Sequence, residues 1–317
     1  MKKSCSGFGI CSPDRFPYYL ATWIFRKESA DDGRAWEALA DRALREGYRG
    51  LEIHDRRLLR VSDREAEKII ELLQKKGLEV VLGLDTDFTA PGAKARSKES
   101  QRTIRRLRWA GALGIGLVRL TTGGQKLSLA RLIRTLQPAV PLVSRGVENF
   151  FTRPLVAQGF RKLKGTGNKP IPADGIQRVA DGLRRVAAAA EETGLLLVIE
   201  NHWGVSSDWR NLALLMKAVP SPALGICLDW GNFPARTDVL PGIQGLLPWT
   251  LHQHAKSYGF DSPEQISRLP YRDIVLEVEK AGYTGAVTVE YEGPGDPWAG
   301  CRQTMALIEK VYREASD

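Results

Sequence analysis

Two patterns of polar and apolar positions alternate along this chain. Short unbroken apolar runs, each ending in a few polar residues, are followed by stretches in which apolar residues return every three to four positions. The first pattern is that of a strand buried on both faces, the second that of an amphipathic helix. Leu195–Trp203 (L-L-L-V-I-E-N-H-W) is the clearest run, with five apolar residues leading into Glu200, Asn201 and His202. A carboxylate, an amide and an imidazole at the end of a buried strand are unfavourable there unless something uses them. The other strand candidates are Tyr18–Phe25, Gly50–His54, Glu79–Leu84, Leu117–Leu120, Leu224–Leu228, Thr250–Lys256 and Gly285–Val289. Between them, helices are expected over Ala35–Arg45, Ser62–Lys76, Ser97–Leu113, Ile176–Thr193, Trp209–Val219, around Asp238–Leu247, and over Tyr271–Lys280 and Trp298–Glu314. Most end at a glycine (Gly47, Gly77, Gly114, Gly194, Gly282) or at Pro220, the usual helix stops.

Strands alternating with helices imply right-handed parallel crossovers, and eight such units are the count of a closed barrel. No G-x-G-x-x-G follows the first strand, so an open nucleotide-binding sheet is the weaker reading. The expected fold is therefore α/β, a (β/α)8 TIM barrel forming one domain over residues 1–317. The rhythm breaks once, over roughly 123–174, where lysines, arginines and five prolines accumulate. A basic insertion after the fourth strand is expected to lie over the C-terminal face of the barrel.

Composition narrows this reading only a little. The chain has 317 residues, 43% apolar and 26% charged, within the ordinary globular range. Its net charge of +9 permits an anionic ligand, and without a fitting motif nucleic acid is not an expected partner. Four scattered cysteines (Cys5, Cys11, Cys227, Cys301) form neither a disulfide scaffold nor a C-x-x-C. Met1-Lys2-Lys3 is followed by no apolar stretch of the signal-peptide kind, and no run of 18 apolar residues exists. A cytoplasmic enzyme or binding protein follows as the expectation, with no membrane partner and with homo-oligomers compatible.

Function in such barrels sits at the C-terminal ends of the strands. Four consecutive strands in the second half end at or near Glu200, Asp229, His254 and Glu290. Three carboxylates converging on one point would raise each other's pKa or repel, and a divalent cation removes that penalty. Three oxygen donors and one imidazole suit one Mn²⁺, Mg²⁺, Co²⁺ or Zn²⁺ ion. His202, Lys256, Asn232 and Trp203, together with Glu52 and His54 at the end of the second strand, are candidates for substrate contacts. Trp23, Phe88, Trp230 and Trp298 fall near the same mouth, where sugar rings could stack on them.

The segments V-I-E-N-H, C-L-D-W-G-N, H-Q-H-A-K and V-T-V-E-Y resemble the strand-end motifs of the xylose isomerase-like superfamily of TIM barrels. That group holds sugar phosphate isomerases and epimerases, ketose 3-epimerases, inosose dehydratases and endonuclease IV. The resemblance implies that Glu200, Asp229, His254 and Glu290 ligate one divalent metal. It further implies that Glu200 and Glu290 form an acid/base pair on a carbohydrate substrate. Proton removal beside a carbonyl through a metal-stabilised enediolate is the chemistry such a site would run. Isomerisation or epimerisation is the expected outcome, with dehydration of a keto-sugar or inosose as the alternative and a non-catalytic sugar-binding barrel as a third reading. The chain departs from many members at Asn232, where they carry histidine, and at Ser257, where they carry aspartate. An endonuclease IV-like site uses many histidines, and this chain has four in all.

Overall fold

The computed structural model describes residues 16–25, 33–54, 58, 61–123, 173–262, 265–266 and 269–316. Eight parallel strands close into a barrel: β1 Tyr18–Ala21, β2 Gly50–His54, β3 Glu79–Leu84, β4 Leu117–Leu120, β5 Leu196–Glu200, β6 Leu224–Asp229, β7 Thr250–Ser257 and β8 Val287–Tyr291. Each pairs with its neighbours in sequence, and β8 closes on β1 through Tyr18↔Val287 to Leu20↔Val289. The surrounding helices are α1 Gly33–Arg45, α2 Asp63–Lys75, α3 Ala93–Ala112, α4 Ala173–Thr193, α5 Trp209–Ala218, α6 Val239–Leu246, α7 Tyr271–Lys280 and α8 Pro297–Ser316. The expected (β/α)8 barrel is the observed fold. Most of the basic stretch expected over 123–174 lies outside the described residues. No helix among the described residues is long and apolar enough to cross a membrane.

Local chemistry explains the element ends. Ser62 caps α2 through a capping box: its hydroxyl accepts from Glu65 N while the Glu65 carboxylate accepts from Ser62 N. Gly47, Gly77, Gly114, Gly194 and Gly282 all take positive φ, as helix-ending residues without Cβ can. Several boundaries differ from expectation by one to four residues. The first strand stops at Ala21, because Thr22 Oγ1 donates to Glu52 O at 2.9 Å and Thr22–Phe25 turns into a 3-10 helix. The α3 helix starts at Ala93 rather than Ser97. The last strand is Val287–Tyr291 rather than Gly285–Val289, so Glu290 lies within the strand instead of just beyond it. A short hairpin (Phe260–Ser262 with Gln265–Ile266) follows β7 and was not expected.

Successive strand residues point to opposite faces, so each barrel strand divides its side chains between helices and lumen. Leu51, Ile53, Leu82, Val118, Leu197, Ile199, Ile226 and Leu228 join the apolar cluster with the helices. Residues of the other parity include Glu52, Arg119, Glu200, Cys227, Asp229, His252, His254, Lys256, Thr288 and Glu290, all buried. Ion pairs between strands that are not neighbours, Arg119 with Glu52 and His254 with Glu52, place these charges inside the barrel. The lumen toward the C-terminal ends of the strands is thus a closed polar chamber.

Candidate metal centre

Glu200, Asp229 and His254 each offer a ligand atom, and the three atoms lie within 4.8 Å of one another. Register sets Asp229 level with His254 across β6 and β7, while Glu200 pairs with Cys227, two residues before Asp229 on β6. His254 Nδ1 faces Glu200 Oε1 at 3.5 Å, Asp229 Oδ2 at 3.7 Å and Glu290 Oε2 at 3.8 Å. That nitrogen is buried and has no hydrogen-bond partner among the described residues. Its other nitrogen, Nε2, lies 2.7 Å from Glu52 Oε2. A carboxylate holding one imidazole nitrogen as the donor leaves the other as a lone-pair acceptor, the usual arrangement behind a metal-binding histidine. Asn201 staples the ends of β5 and β6, donating through Nδ2 to Asp229 O (2.8 Å) and accepting at Oδ1 from Asp229 N (2.7 Å).

A second layer of charge lies below. Arg119 Nε donates to Glu52 Oε1 at 2.5 Å and Nη1 to Glu200 Oε2 at 2.6 Å. Arg119 is on β4 and Glu52 on β2, so the guanidinium passes over β3, and the residue it passes is Gly83. A Cβ on Gly83 would collide with that guanidinium. Burial alone would raise the Glu52 and Glu200 carboxyls, yet His254 and Arg119 at Glu52, and His202 and Arg119 at Glu200, outweigh it and hold both well below the ordinary range. Gly83→Ala is therefore expected to destabilise the fold by about 1–3 kcal/mol, as overpacking does. Urea unfolding measures it; an unchanged midpoint would mean that the guanidinium has room to move.

At the opposite side, Lys256 Nζ bridges Asp229 Oδ2 at 3.1 Å and Glu290 Oε2 at 3.2 Å and donates to Asn232 Oδ1 at 3.2 Å. Asn232 in turn donates from Nδ2 to Asp229 Oδ2 at 2.7 Å and to Glu200 Oε1 at 3.1 Å. Burial pushes the Glu290 carboxyl up to about 7, with Glu292 and Asp229 adding to the rise and Lys256 opposing it. Glu52, Glu200, Asp229 and Glu290 set four buried carboxylates against the two permanent cations Arg119 and Lys256. A divalent cation ligated by a neutral His254 would offset the excess of carboxylates. The donor set fits such an ion. Cys227, His252 and His254 also cluster within 4.8 Å, but burial pushes the Cys227 thiol up to about 12, and His252 Nε2 pairs with Thr288 Oγ1 at 2.8 Å.

A family model described as "Xylose isomerase-like TIM barrel" matches residues 40–311. The chain belongs to that family. Two curated relatives are C-glycoside deglycosidase alpha subunits. The one from Arthrobacter globiformis is 40% identical over 48 residues, 15% of this chain and 13% of the relative. The one from Microbacterium trichothecenolyticum is 38% identical over 85 residues, 26% of this chain and 22% of the relative. The chain thus matches less than a quarter of the length of either relative. Among solved structures, that of an L-ribulose 3-epimerase superposes with a TM-score of 0.69 at 11% identity, covering 95% of this chain and 97% of that one. Likeness at that identity is a likeness of fold.

In this xylose isomerase-like barrel the expected ligands do come together at one end of the lumen. The residues expected around them divide. Glu52 is 5% exposed with both oxygens engaged by protein, and Asn232 has its amide turned onto Glu200 and Asp229, so both hold the site's own side chains. Lys256 touches two of the expected ligands. Burial pushes the His202 imidazole down to about 3, and its Nε2 accepts from Trp203 Nε1 at 2.6 Å. Trp203 itself is 43% exposed. His54 Nε2 lies 3.1 Å from Asp85 Oδ1. Three of the aromatics expected at the mouth are instead packing. Trp230 is buried with its indole N–H on Gln253 Oε1 at 2.7 Å, Phe88 lies against Gly182, and Trp298 stacks on Phe25. Trp23 and Trp203 remain exposed. Arg119, absent from the expected site, is its central cation. Its signal was a charge inside a buried strand, L-V-R-L, matched by the lone opposite charge within G-L-E-I-H.

Proposed function

We propose that this chain is a divalent-metal-dependent enzyme that removes a proton from the carbon beside the carbonyl of a carbohydrate substrate. Glu200, Asp229, His254 and Glu290 would hold the ion, Mn²⁺ being one fitting choice. The observation that carries this reading is His254 Nδ1, buried with no hydrogen-bond partner among the described residues and faced by three carboxylate oxygens within 3.8 Å. When bound, the ion polarises the carbonyl and stabilises the negative charge that develops there. Glu290 is the base. Burial lifts its carboxyl to about 7, which suits a group that must take up and release a proton near that pH. Lys256 Nζ, 3.2 Å from Glu290 Oε2, orients that carboxylate and can donate to a substrate oxygen. Isomerase chemistry, aldose–ketose transfer or epimerisation, is the first reading.

The curated relatives favour a second reading, since they are named as deglycosidases. The same proton removal, followed by departure of the group on the next carbon, is an elimination and would make the chain a lyase. Because those relatives are alpha subunits, this reading includes a second polypeptide. A solvent deuterium-exchange screen of ketoses, inososes and keto-glycosides, run on metal-analysed protein, tests both. Label in one compound names the substrate and its reactive carbon, and release of the leaving group identifies elimination. Protein that carries no stoichiometric divalent ion after metal loading would refute the reading.

A further inference from the structure

We propose that Arg119 is a positioning residue that clamps Glu200 as a fixed metal ligand, removes it from proton transfer and leaves Glu290 as the base of the two glutamates. The inference rests on the metal reading above and narrows it to chemistry on one face of the substrate. Four buried side chains form a continuous strap: Glu200 Oε2 to Arg119 Nη1 (2.6 Å), Arg119 Nε to Glu52 Oε1 (2.5 Å), and Glu52 Oε2 to His254 Nε2 (2.7 Å). Its two ends are proposed ligands from β5 and β7, and its middle is anchored on β4 and β2. Arg119 is 7% and Glu52 5% exposed, so neither meets solvent at the mouth. Gly83 supplies the space for the crossing. Fixing two ligands through a shared cation is how outer side chains set the geometry of a metal site.

The strap decides what Glu200 can do. Its Oε2 accepts a charge-assisted bond from a guanidinium that has no other place to go, and its Oε1 accepts from Asn232 at 3.1 Å while facing His254 Nδ1 at 3.5 Å. To take a proton, Glu200 would have to break a buried ion pair and leave Arg119 half-paired. Glu290 is held differently: among the described residues its Oε2 meets the Lys256 ammonium at 3.2 Å, a cation it shares with Asp229 and Asn232. Of the two other histidines named at the mouth, His202 has its Nε2 taken by the Trp203 indole, and His54 Nε2 faces Asp85 Oδ1. Inverting one carbon requires a base on one face and an acid on the other. With Glu200 held, Glu290 serves a single face. The proton then returns to a neighbouring carbon from that face, or stays off while a β-substituent leaves with the electron pair. Of the readings above, aldose–ketose transfer and elimination need no more than this, whereas epimerisation by the Glu200 and Glu290 pair is ruled out.

Cobalt substitution tests the strap without any substrate. Wild-type protein, Arg119→Lys and Arg119→Met are loaded with Co²⁺, and the visible absorption spectrum and the Co²⁺ affinity are measured. Lysine keeps the buried charge, and with it the fold, but cannot span two carboxylates; it decides the matter if the methionine variant fails to fold. Both variants are expected to bind Co²⁺ about 10–100-fold more weakly, the range for losing an outer partner. A lower absorption intensity is also expected, because a released Oε2 can join the ion and raise its coordination number. Variants with wild-type spectrum and affinity overturn the clamp while leaving the metal reading intact. Wild-type protein that binds no Co²⁺ overturns the metal reading itself. An epimer formed at the labelled carbon in the exchange screen overturns the restriction to one face even if the spectra shift.

Discussion

His254→Ala protein is expected to lose its divalent ion, with an affinity loss beyond the roughly 100-fold that marks the upper range for removing an outer partner. The expectation follows from what the imidazole does on each side. Nδ1 faces Glu200, Asp229 and Glu290 at 3.5–3.8 Å and can offer an ion there a nitrogen lone pair. Nε2 ties the ring to Glu52 and, through it, to Arg119. Alanine therefore deletes a ligand and also cuts the strap that orients Glu200. Equilibrium dialysis with Mn²⁺, followed by metal analysis, measures the effect. His202→Ala is the control, because its Nε2 is engaged by Trp203 and lies 4.0 Å from Glu200 Oε1; it should retain the ion. Full occupancy in His254→Ala would place the ion elsewhere.

How much of this was legible follows from where the chemistry lies along the chain. Buried parallel strands announce themselves as apolar runs, and five helices end at positive-φ glycines that the sequence displays. Glu200, Asp229, His254 and Glu290 were legible because each interrupts or ends such a run in one of four consecutive units. The strand ends were less so. Y-Y-L-A-T-W-I-F reads as strand throughout, yet the chain leaves the sheet at Thr22, whose hydroxyl finds the Glu52 carbonyl, a partner distant in sequence. Gly285 and Ala286 read as strand by apolar pattern, but they precede β8, and the Ala286 carbonyl accepts from Tyr283 Oη at 2.7 Å.

Side-chain roles inside the lumen were the least legible. Glu52 and Asn232 have the chemistry of substrate contacts, and only the fold reveals that their polar atoms are taken by Arg119, His254, Glu200, Asp229 and Lys256. Arg119 belongs to the same class. Its partners lie on β2 and β5, two strands before it around the barrel and one after it. A one-dimensional pattern shows that a charge sits in a buried strand, and closure of the barrel determines which acids it meets. Trp230 and Trp298 were misplaced for a related reason: an aromatic beside a strand end can face the mouth or the helix layer, and both face the helix layer.

Glu290→Gln is expected to retain the ion more weakly and to lose about 10²–10⁴-fold in the rate of substrate deuterium exchange, the span for removing a general base. Glutamine keeps the shape and one oxygen donor but cannot hold a proton between steps. The wild-type rate should rise with pH, because burial, with Glu292 and Asp229, pushes the Glu290 carboxyl up to about 7 and the base form predominates only above that value. A bound divalent cation favours the charged carboxylate and moves this limb to lower pH. Glutamine at 290 should abolish the limb as well as lower the rate. Glu292 adds to the lift on Glu290 and lies 3.8 Å from Lys256, so Glu292→Gln should move the limb in the acid direction without removing it. Exchange that survives in Glu290→Gln with its pH limb in place would move the base to another residue, and Glu200, once freed from Arg119, would be the first to examine.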